Sequence, residues 1–154
     1  MTTAEFWNKQ EFSCLVTYSF NRGAKLIALQ EAAKMLFRKA RQEPLFAPPA
    51  QLPEMRNQLR RLERNNDLEM LDLTPDTSAF HIIASPVALV KRHSSDAQAF
   101  SEILRAPIIN QLHWMCGPVY RDALAFYDAQ DKLVSVLNIC FGCDRMLTDM
   151  GKEV

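Results

Sequence analysis

The sequence predicts an α+β fold: a single domain over residues 1–154, with an antiparallel or mixed sheet, a C-terminal β-hairpin and two or three packed helices. Three observations carry this. The 154 residues are 48% hydrophobic and 23% charged, the balance of an ordinary globular domain long enough to bury one core. Alternation of apolar and polar residues recurs over 12–20 and in two consecutive runs, 119–127 and 132–140. Apolar residues at three- and four-residue spacing mark helices between them.

In chain order, Phe12, Cys14, Val16, Tyr18 and Phe20 share one parity, with mostly small polar residues between them, which predicts a half-buried strand. Asn21-Arg22-Gly23 is a turn signature, because Asn and Gly tolerate positive φ. Leu29, Ala32, Ala33, Leu36, Phe37 and Ala40 then give a helix; Ala24 to Leu29 fits either its first turns or the second arm of a hairpin. Residues 43–53 hold four of the eight prolines and form a connector, with Leu45 and Phe46 expected to pack over the core rather than mark a domain boundary. Pro53 suits the first position of a second helix reaching about Asn65, with Met55, Leu59 and Leu62 as its stripe.

Short strands are expected at Leu68–Leu73 and Ala79–Ala84, separated by Thr74-Pro75-Asp76. Ser95-Asp96-Ala97-Gln98 reads as a capping box opening a helix through Phe100, Ile103 and Leu104, and Pro107 stops it near Arg105. Val119–Tyr127 and Lys132–Cys140 make the hairpin, around the loop Asp128 to Asp131. The second arm is apolar on both faces, so it should be a central strand with Leu137 and Ile139 in the core and Asn138 hydrogen-bonded. A helix over Asp144 to Met150 would follow, and the short stretch after this strand leaves open whether the domain has a further C-terminal element.

Charge sums to zero, yet residues 1–66 carry 11 Lys/Arg against 6 Asp/Glu and residues 67–154 carry 7 against 12. The plain reading is attraction between the two halves within one fold. The basic set Lys34, Arg38, Lys39, Arg41, Arg56, Arg60, Arg61 and Arg64 is diluted by Glu31, Glu43, Glu54 and Glu63, and no stacking-aromatic motif accompanies it, so nucleic acid is not the expected partner. The apolar run Phe80–Val90 is interrupted by His81, Ser85 and Pro86 and is well short of the roughly 18 residues a membrane span needs. No basic stretch followed by an apolar one opens the chain. A cytoplasmic location is therefore expected, in which cysteines remain thiols or bind metal.

Motifs of catalysis are scarce. Four dispersed glycines cannot build a phosphate-cradling loop, and no nucleophile elbow or paired-histidine metalloprotease motif occurs. The constellation above background is His113-Trp-Met-Cys116, followed after 23 residues by Cys140-Phe-Gly-Cys143. Zinc takes Cys and His tetrahedrally, a two-residue gap lets each pair reach one ion, and a hairpin brings its outer ends together. The alternative is that Cys116 and Cys140 are small core hydrophobes. A thiol oxidoreductase at Cys140 and Cys143 would draw on a following helix dipole, but only 11 residues follow Cys143, too few for the remainder of a thioredoxin-like fold, and Asp144 would raise a neighbouring thiol's pKa. His81 reads as a core or edge histidine, and Lys91-Arg92-His93 as a solvated loop that could hold a phosphate. Together these point to a noncatalytic binding or interaction domain with a protein partner or a second copy of itself. Its cofactor is none, or one zinc at His113, Cys116, Cys140 and Cys143.

Overall fold

A computed structural model describes residues 1–42, 45, 48–53, 55–56, 84–107, 119–142, 145–148 and 151–154. The α+β expectation holds. Helix α1 (Thr3–Lys9) precedes strand β1 (Cys14–Phe20), helix α2 (Gly23–Gln42), a one-turn 3₁₀ helix at Pro49–Gln51, strand β2 (Ala84–Lys91), helix α3 (Ser95–Arg105), and strands β3 (Asp122–Tyr127), β4 (Leu133–Cys140) and β5 (Arg145–Thr148). The five strands form one antiparallel sheet in the order β2-β1-β3-β4-β5.

Side-chain alternation splits this sheet into two faces. On one face Leu15 stands opposite Phe126 and Leu124 opposite Leu137, and these join Ile139 and Val90 under α1 and α3. Phe126 is fully buried in edge-to-face contact with Phe6 at 5.8 Å, Trp7 at 6.1 Å and Phe12 at 5.2 Å between ring centroids. On the other face Phe20, Ala123, Ala125 and Val136 pack with Tyr18 and with Leu26 and Leu29 of α2. Leu137 and Ile139 lie in the larger cluster as expected, and Asn138, buried in the strand's second face, donates to the Leu147 carbonyl at 3.4 Å.

Local chemistry sets the element ends. Thr2 caps α1 in a reciprocal box: its hydroxyl accepts from the Glu5 amide at 3.1 Å, and the Glu5 carboxylate accepts from the Thr2 amide at 2.9 Å. Gly23 adopts φ +60° in the turn after β1, so α2 begins there and Ala24 to Leu29 are helical rather than a hairpin arm. The Asp128 carboxylate accepts from the Gln130 and Lys132 amides, each at 2.9 Å, which closes the β3–β4 loop.

Several expectations are corrected. Phe12 precedes β1 and joins the face opposite to Phe20, because regular alternation begins only at Cys14. The strand expected to end at Ala84 instead runs from Ala84 through Pro86 to Lys91, with residues 79–83 outside the described part; an edge position tolerates the proline. Ser94, not Ser95, caps α3, and Gln98 reaches Glu102 instead of closing a box. Over Arg145–Thr148 the chain is strand β5, not a helix, because pairing with β4 in the register Cys140↔Arg145 overrides weak local preference. The first hairpin arm begins at Asp122 rather than Val119. Leu52, Pro53, Met55 and Arg56 are helical; the remainder of the second expected helix and the strand expected at Leu68–Leu73 lie outside the described residues.

Candidate functional site

Of the four residues expected to hold zinc, only Cys140 is among the described ones; His113, Cys116 and Cys143 lie outside them. The register Asp122↔Ile139 sets the start of β3 beside the end of β4. Cys140 is buried there with Tyr120 and partly buried Leu147. Burial, then the charges of Glu153 and Cys140, push the Tyr120 hydroxyl above its ordinary pKa, against the opposing pull of Arg145. Cys14, the other described thiol, is half-buried on β1 opposite Tyr127. Among the described residues no three His, Cys, Asp or Glu groups gather as a metal site. With β5 in place of a helix, no helix dipole stands over residues 145–148 to acidify a thiol at the end of β4.

His81, Arg60, Arg61 and Arg64 also lie outside the described residues, whereas Lys34, Arg38, Lys39 and Arg41 are exposed on α2 and Arg56 is exposed beyond it. Lys91-Arg92-His93 is exposed, with Arg92 and His93 in a turn, and is tied to its neighbours by specific hydrogen bonds. Lys91 ends β2, and the Arg92 amide donates to the Ser13 carbonyl at 3.0 Å. The Ser94 hydroxyl donates to the Lys91 carbonyl at 2.8 Å and accepts from the Ala97 amide at 3.2 Å, which ties the strand end to the start of α3.

The Arg92 side chain turns back across Phe12, its guanidinium carbon 5.1 Å from the ring centroid. From Nη1 it donates to the Phe12 carbonyl at 3.1 Å and the Gln10 carbonyl at 3.4 Å. At the far end of α3, Arg105 Nη2 donates to Asn8 Oδ1 at 2.8 Å. Both arginines line a cleft of about 370 Å³ between α1 and α3, with Trp7 and Phe12 as its apolar wall and His93, Gln98 and Ser101 also bordering it. Among the described residues no carboxylate lines it. A more apolar hollow of about 570 Å³ lies between α1 and the start of β4, lined by Met1, Phe6 and Val134, with Thr148 at its border held by the Lys152 amide.

Among the described strands β2 forms an edge of the sheet, and Val87 is 68% and Leu89 62% exposed. Antiparallel strands alternate the direction of their backbone groups. Since Arg92 and Ser13 bond across β1, Val90 also faces β1; Leu89 directs its N–H and C=O outward and Lys91 its N–H, while the Lys91 carbonyl accepts from the Ser94 amide at 3.0 Å and hydroxyl at 2.8 Å. The ladder breaks at a bulge between Thr17 and Tyr18, where Val87 has no partner on β1. The Thr17 hydroxyl fills the gap, accepting from the Ala88 amide at 3.1 Å and donating to its carbonyl at 3.4 Å. No protein-family model, no curated protein and no solved structure matches this chain.

Proposed function

We propose that this chain is a noncatalytic binding domain whose β2 edge accepts an extended segment of a protein partner. The observation that supports this is the pairing, on one edge strand, of exposed Val87 and Leu89 with the outward N–H and C=O of Leu89 and the outward N–H of Lys91. Strand addition takes its affinity from main-chain hydrogen bonds and its selectivity from alternate side chains. Sheet proteins ordinarily blunt such edges with charge and proline, and β2 does so only with Pro86 and Lys91. The test is selection from a displayed library of random peptides, followed by amide exchange on the complex. Slowed exchange at Leu89 and Lys91, abolished by Leu89→Lys at an unchanged denaturant midpoint, is expected. Binding indifferent to that substitution would remove the edge from the account, and self-association that Leu89→Lys abolishes would make the partner a second copy.

A structural zinc ion is the second reading, favoured by the adjacency of the β3 start and the β4 end. One zinc per chain, lost on Cys140→Ser, is its expected outcome in elemental analysis of protein purified without chelator. Less than roughly one-tenth of an equivalent with all thiols free would end it.

A further inference from the structure

We propose that the cleft between α1 and α3 is a binding site for a small ligand carrying two anionic groups, received by Arg92 and Arg105. The site is separate from the β2 edge and does not depend on strand addition.

Four observations lead there. First, both guanidinium groups are oriented without being neutralised. Arg92 is held by two backbone carbonyls and the Phe12 ring, Arg105 by a side-chain amide oxygen, and neither has a carboxylate partner among the described residues. A guanidinium offers five N–H donors in a fixed fork, and most of them are left over on each arginine. Second, the cleft has no acidic lining group among the described residues, and the nearby Glu102 carboxylate accepts from Gln98 Nε2 at 3.3 Å. Third, its volume of about 370 Å³ falls in the range of small-molecule pockets, with an apolar wall of Trp7 and Phe12 against a polar rim.

Fourth, the two arginines converge. Along α3, Arg92 and Arg105 stand at opposite ends, yet their tips return to nearby points on the other wall: Arg105 to Asn8, Arg92 to the carbonyls of Gln10 and Phe12. Asn8 stands two residues before Gln10 and four before Phe12, so both arginines meet the one short stretch of chain that leads from the end of α1 to β1. A ligand with two oxyanions can engage both, and both carboxylates and phosphates accept the bidentate fork. His93 and the Ser94-capped start of α3 add donors on the Arg92 side.

The experiment titrates the full chain with succinate, citrate and inorganic phosphate in parallel, by calorimetry and by amide shifts of Ser94, Gln98 and Ser101. Saturable binding below about 10 mM by at least one probe is expected, and the preferred probe tells carboxylate from phosphate. Arg105→Gln should weaken it at least tenfold, Arg105→Lys less, and Lys34→Gln on α2 not at all. Arg105 is exposed in the last turn of α3, so its variants should keep the thermal midpoint and isolate binding from folding. No saturation with any probe would overturn the proposal. So would saturation that Arg105→Gln leaves unchanged.

Discussion

The two faces of the sheet are covered in opposite ways, and strand β3 holds both instructions in one alternating run, Ala123-Leu124-Ala125-Phe126. Its even residues point to α1 and α3, where three further aromatic rings close around Phe126. Its odd residues are alanines, and on that face the bulk comes from Phe20, from Tyr18 and from Leu26 and Leu29 of α2. A large residue on the sheet holds its cover at a distance, whereas an alanine admits side chains from the layer above. Period-two alternation in size, as well as in polarity, therefore encodes how thick each layer is.

The sharpest way to break this comparison is to remove a ring. Phe126→Ala should cost about 3–5 kcal/mol, through lost burial plus a cavity that Phe6, Trp7 and Phe12 cannot close together. The denaturant midpoint should fall at an unchanged slope; a loss below about 1 kcal/mol would mean that the rings do not share one core. Filling the alanine face should cost less. Ala125→Leu is expected to destabilise by about 1–3 kcal/mol, because Ala125 is fully buried and the added atoms must displace a packed layer. The volume-conserving Leu124→Met on the ring face should stay below about 1.5 kcal/mol. Equal effects of the two would erase the distinction between the faces.

The smallest expected effect is a dependence on alkaline pH from the alanine face. Burial, then a hydrogen bond with Tyr18, then the charges of Tyr18 and Cys14 raise the Tyr127 hydroxyl above its ordinary pKa of 10.0. The unfolded chain therefore releases this proton at lower pH than the folded one. The stabilisation is fully present below about pH 10 and is lost as pH rises beyond it. Thermal midpoints should decline above that pH, and Tyr127→Phe should flatten the decline. Tyr120, raised mainly by burial, adds to the wild-type slope and should remain in that variant. Phenolate absorbance appearing in the folded protein in step with free tyrosine would contradict this.

What was legible in the sequence follows from range and length. Helix α2 and the β3–β4 hairpin carry enough periods to be read directly, and the two-faced burial of β4 follows from its apolar residues at both parities. Helix α1 has only seven residues, too few for a stripe to stand out, although Thr2 and Glu5 already have the spacing of a capping box. Strand β5 has four residues and owes its state to β4. Strand β2 carries Pro86, which an edge position tolerates, and the sequence alone gives no expectation of a strand over residues 85–91. In the α1–α3 cleft, Lys91-Arg92-His93 stood out as a basic run, but the bonds that shape it join residues 80 and 97 positions apart. No local pattern reports Asn8 or Arg105. The Cys and His spacing was visible from the outset, and the structure adds to it the position of Cys140.

The unmatched Val87 also bears on crowded solution. A long, flat, unbroken edge would let copies of the sheet stack without limit, each new strand templating the next. Here Pro86 withholds an amide and Val87 throws the strand out of step, so the outward groups beyond the bulge are those of Leu89 and the Lys91 amide. The interruption thus shortens the run over which a second copy of the sheet could pair along this edge.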